Sequence, residues 1–73
     1  MKELDSVVLL DDLTDHGLKK GDLGVIVLTH GDNEGYEIEF TTLSGETIAV
    51  VTLLPSQIRP VAQREIAHSR MLV

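Results

Sequence analysis

Alternation is strictest over residues 36–40, where YEIEF puts Tyr36, Ile38 and Phe40 on one side of an extended chain and Glu37 and Glu39 on the other. The pattern predicts a strand with one buried face and one wet, acidic face. Three further runs are β-branched and aliphatic and predict strands: SVVLL at 6–10, LGVIVLT at 23–29 and ETIAVVTLL at 46–54. Between the first two, residues 11–22 carry Gly17, Gly21 and several charges without a helical period, and read as a long loop. Gly21 can supply a φ > 0 turn, and Gly24 inside the second strand marks a bulge or sharp bend. GDNEG at 31–35 predicts the turn into the third strand, and Ser44-Gly45 a tight hairpin into the fourth. Pro55 ends that strand, PSQI fits a single 3₁₀ turn, and Arg59-Pro60-Val61 predicts a very short edge strand. Five short strands, a long first loop and a late 3₁₀ turn predict an all-β domain over residues 1–61, a small SH3-like barrel.

Residues 62–73, AQREIAHSRMLV, differ from the rest: they lack Gly and Pro and carry a net charge of +1. Ala62, Ile66 and Val73 fall roughly on one face at helical spacing, but a short helix with so few apolar positions is marginal alone. The segment is expected to be a helical, disordered or partner-dependent tail. The strands pose a second question, because VVLL, GVIVL and IAVV are apolar on both faces while one small barrel has one interior. Their outward members need a cover: the tail, a second copy of the chain, or another protein. Strong twist could also let loops half-cover both faces of the central strands.

Size sharpens that question. A domain of 73 residues buries only about 60% of the surface its unfolded chain exposes, and with no cysteine it has neither disulfide nor thiolate metal site to reinforce it. The absence of thiols, of a basic leader and of a long apolar run fits a soluble, cytoplasmic protein with no membrane partner. Twelve acidic against six basic residues give a net charge of −6, which opposes binding to a phosphate backbone and suits a basic protein partner. The same charge also serves simple solubility.

Candidate chemistry is sparse. His16, His30 and His68 are far apart with no metal-ligand spacing, and Asp11, Asp12 and Asp15 in DDLTDHG do not follow a calcium-loop pattern. No nucleophile-elbow motif frames Ser6, Ser44, Ser56 or Ser69. Glu37 and Glu39 point the same way, close enough for one pKa to rise, yet on a wet β face they are expected to repel mildly and do no chemistry. The expectation is a protein without enzymatic activity, cofactor or metal. Tyr36 and Phe40 sit on the core face and there is no Trp, which argues against a proline-peptide groove.

The blocks LLDDLTDHGLKKGDLGVIV, YEIEF and LPSQIRPV, spread over residues 7–61, resemble the small bacterial proteins grouped as domain-of-unknown-function family 4926. That resemblance implies a bacterial origin and an SH3-like β fold, and brings no assigned activity. Members of the family look like products of genes found beside toxin-like genes, which implies an antitoxin or immunity role. Residues 20–28 are also similar to the KOW element of transcription and ribosomal proteins, although the acidic charge departs from the basic surface of such RNA binders. The sequence thus points to a protein–protein interaction module that self-associates or docks a basic, toxin-like partner. Its expected contact residues are Asp11, Asp12, Asp15, Glu37, Glu39, Ile66 and Met71. The alternative is KOW-like nucleic-acid binding through Lys19, Lys20 and the tail arginines, predicted to show salt-dependent affinity for RNA.

Overall fold

The computed structural model describes residues 1–32 and 34–72. Five strands form in chain order: β1 (Ser6–Leu9), β2 (Leu23–His30), β3 (Gly35–Thr41), β4 (Thr47–Leu53) and β5 (Ile58–Pro60). All pairings are antiparallel in one sheet of order β4-β3-β2-β1-β5, an all-β arrangement compatible with an SH3-like meander. The alternation of 36–40 is realised directly: Tyr36, Ile38 and Phe40 are buried, and Glu37 and Glu39 point to the other face. Among the described residues no helix is long and apolar enough to cross a membrane.

The core gathers Val7, Leu9, Leu18, Ile26, Tyr36, Ile38, Phe40, Leu53 and Ile58, with Leu13, Ile48, Ala49 and Val51 packed against it half-covered. Each fully buried aliphatic contributes about 1.5–3 kcal/mol relative to exposure. Leu18 comes from the long loop, which is more ordered than its composition suggests. Thr14–His16 make a 3₁₀ turn closed by Gly17 at φ 69°. Leu13 and Leu18 exchange backbone hydrogen bonds of 2.9 and 3.1 Å across it. That clasp folds the loop back so that both leucines reach the core.

Several turns form as the sequence predicts. Gly21 takes φ 96° and Gly45 takes φ 98° in the β3–β4 hairpin. Pro55–Gln57 make the second 3₁₀ turn, where Gln57 Oε1 accepts from Leu54 N at 2.8 Å and Gln57 N donates to Leu54 O at 2.9 Å. The turn expected at 31–35 joins β2 to β3, and Asn33 within it lies outside the described residues.

One expectation is corrected. Gly24 is not a bulge: it pairs in register with Val7, and its reason is space. A Cβ there would fall on Ile38 Cγ2, 3.0 Å from Phe40 Cε1 and 3.1 Å from Glu39 O. The bulge of β2 lies further along, between Ile26 and Leu28, with Val27 as the extra residue. Of the alternatives for the tail, the helix does not form over residues 62–72. Glu65 is drawn back to Ala62 N and to Arg59, and Arg70 outward to the β1–β2 loop. Val73, a member of the supposed helical face, lies outside the described residues.

Candidate interaction surface

The outer face of the sheet is built by the same alternation that fills the core. Register places Glu39 between Val25 of β2 and Val50 of β4, and Glu37 between Leu28 and Thr52. On β3, Glu39 is thus flanked by aliphatic side chains on both sides and Glu37 on one. Leu28 and Val50 are 42% and 54% exposed, and Leu23, further along β2, 43%. Glu39 accepts a 2.8 Å hydrogen bond from the Thr47 hydroxyl, which fixes its direction along the face. Glu37 lies 3.9 Å from His30 Nε2.

At the β1–β5 end the same face is crossed by the tail. After a turn at Gln63 and Arg64, Glu65 accepts from Ala62 N at 2.9 Å and from both terminal nitrogens of Arg59. Residues 65–68 then pass over Val8, Gly21, Leu23 and Val61, leaving a cleft of about 210 Å³ beneath them. Val8, an outward residue, is covered there to 6% exposure. The far end is fixed by Arg70, whose Nε donates to Asp22 Oδ1 at 2.7 Å and Nη2 to Asp22 Oδ2 at 2.5 Å and Gly17 O at 3.0 Å. Part of the apolar surplus is therefore covered by the chain's own tail.

The electrostatics of both fixings run the same way. Burial alone would raise the Asp22 carboxyl, but the Arg70 side chain and the Lys19 N–H hydrogen-bond it, and with both cations nearby it sits below its ordinary value. The Arg59 hydrogen bond, with that of Ala62 N, holds the Glu65 carboxyl down to about 2. Both carboxylates are charged at neutral pH and tie the tail to the sheet.

Of the expected contact residues, Glu37 and Glu39 share the outer face, while Ile66 and Met71 stand 91% and 90% exposed on the tail. Asp11, Asp12 and Asp15 stay on the β1–β2 loop, exposed, with Asp12 Oδ1 accepting from Lys20 N at 2.8 Å. Among the described residues no three His, Asp or Glu side chains are placed to share a metal ion. The sequence reading missed Asp22, Arg59 and Glu65, and named Arg70 only among the tail arginines, without its partner Asp22. A signal existed for Asp22, since an Asp after a φ > 0 glycine can turn back onto the chain, as it does onto Lys19 N at 2.8 Å.

The chain matches, over residues 3–60, the model of a family described as Domain of unknown function (DUF4926). No curated protein and no solved structure matches it significantly. The matched segment ends at Pro60, before the tail turns back over the sheet.

Proposed function

Since the chain belongs to the family Domain of unknown function (DUF4926), whose description assigns no activity, we propose from its surface that it is a non-enzymatic protein–protein interaction module. The observation that carries this is the outer face: Glu37 and Glu39 set between half-buried Val25 and exposed Leu28 and Val50. Apolar area gives affinity once desolvated, and a fixed negative pair selects cationic groups and speeds encounter with a basic surface. In its finer form the reading is antitoxin- or immunity-like, with a basic protein partner whose Lys or Arg meets Glu37 and Glu39. Ile66 and Met71, exposed on the adjoining tail, extend the contact.

The nucleic-acid reading draws less support, because Arg70 is engaged by Asp22 and Arg59 by Glu65. The test is capture of partners from the native host at low and high salt, with the wild-type chain beside a Glu37→Gln, Glu39→Gln bait. A protein partner held by the wild type, weakened by salt and lost with the double variant, is the expected result. Capture of RNA, or of nothing above background at low salt, defeats the reading.

A further inference from the structure

β4 is an edge of the sheet and contains no charged residue and no proline over its seven residues. Sheet edges are commonly guarded by charge, proline, short length or a covering segment. The opposite edge has all four: β5 has three residues, Arg59 and Pro60 among them, with the tail tied beside it. At β4 the core is open as well. Ala49 and Val51 lie opposite Phe40 and Ile38 on the core face, yet they are only half-buried while Phe40 and Ile38 are 2% and 0% exposed. The irregularity at Ile48 leaves Ala49 to Leu53 in unbroken register. Among the described residues, an unpaired backbone edge and an unfinished core thus lie along one strand.

We propose that β4 pairs antiparallel with β4 of a second copy, fusing the two sheets across a two-fold axis at Val50. Charge selects this occupant. Each copy carries −6, and two outer faces brought together would set Glu37 and Glu39 against their equals. Along β4 identical chains meet without like charges opposite. The axis at Val50 sets Val50 against Val50 and Ala49 against Val51, and over this stretch keeps core-face residues with core-face residues. Ala49 and Val51 of both copies then complete a shared apolar seam. One strand pair buries less than the roughly 1,200 Å² of a standard stable interface, so the dimer is concentration-dependent. This deepens the interaction-module reading by naming one partner, and its failure leaves docking on the outer face to its own capture test.

Light scattering of the full chain over rising concentration, at low and high salt, is the first measurement. The mass is expected to climb from the 8.0 kDa of one chain toward twice that, and further at high salt, because screening relieves the repulsion between two acidic copies. Val50→Lys places a cation beside Glu39 of its own chain, so the monomer stays folded by circular dichroism, while two lysines meeting at the axis weaken the dimer about tenfold or more. Mixing Val50→Lys with Val50→Glu restores it. In this cysteine-free chain, Val50→Cys oxidises to a linked dimer faster than Ser56→Cys. A monomer mass at every concentration and salt overturns the proposal, as does a dimer that Val50→Lys leaves intact.

Discussion

The guanidinium of Arg70 donates to both carboxylate oxygens of Asp22, 48 residues earlier in the chain. This contact closes the C-terminal segment over the sheet with polar groups at its end, while Ile66 and Met71 remain in solvent. Such a strap is fixed by a few directional bonds and covers little of the sheet beyond Val8, so it can be released without unfolding the domain. Arg70→Gln is expected to speed amide exchange and proteolysis of residues 66–72 severalfold and to leave the melting midpoint nearly unchanged. Equal loss of protection in the strap and in β3 would show that the two are one cooperative unit, contrary to this account.

Acid should release the strap in a defined window. The Glu65 carboxyl is held at about 2, against an ordinary value of 4.5. A carboxyl depressed on docking stabilises the docked state fully above its free value, and the benefit fades as pH falls toward its docked value. Asp22 is shifted in the same direction. Tail docking is therefore expected to hold from neutral pH to about 4.5 and to be lost between there and about 2, as read from chemical shifts of Ile66 and Arg70 amides. A release centred near neutral pH would contradict this assignment.

Gly24→Ala tests the close approach of β2 to β3. The added methyl meets Ile38 and Phe40 side chains and the Glu39 carbonyl. Destabilisation of about 1–3 kcal/mol is expected from chemical denaturation, the range of overpacked cores. Gly17→Ala meets no neighbour within 4 Å, so its cost comes from the φ of 69° alone.

Gln57→Ala removes the side-chain acceptor that receives Leu54 N at 2.8 Å. The 3₁₀ turn positions Ile58 for the core and Gln57 O for Leu10 N at 2.8 Å. Loss of one such capping bond costs about 1 kcal/mol, measurable as a shift in urea midpoint with unchanged slope.

Strands and turns were legible in the sequence because their signals are local: alternation at 36–40, the φ > 0 glycines Gly21 and Gly45, and Pro55 after an apolar run. Tyr36, Ile38 and Phe40 followed from period alone. Leu13 and Leu18 did not, because their burial depends on a backbone clasp inside a polar loop. Gly24 was read as a bend, since a sequence shows that a side chain is absent and not what occupies its place. The tail was hardest. Its composition permits a helix, and what decides against one is pairing of Arg59 with Glu65 and of Arg70 with Asp22, the latter beyond any local pattern. On the outer face, the alternating Glu37 and Glu39 were visible, but their aliphatic flanks depend on the register with Val25, Leu28 and Val50.

Because register slips at Val27, β2 is two half-strands joined out of phase: Gly24 and Ile26 share the inner face before the slip, and Thr29, opposite Tyr36, shares it after. Loss of one codon between 23 and 26 would turn the preceding half of the strand inside out. Loss of the Val27 codon itself would leave Ile26 inside, Leu28 outside and Thr29 inside, an unbroken alternation. Length changes in this strand during divergence of the family are therefore expected to concentrate at that one position, where the reading of the two faces survives them.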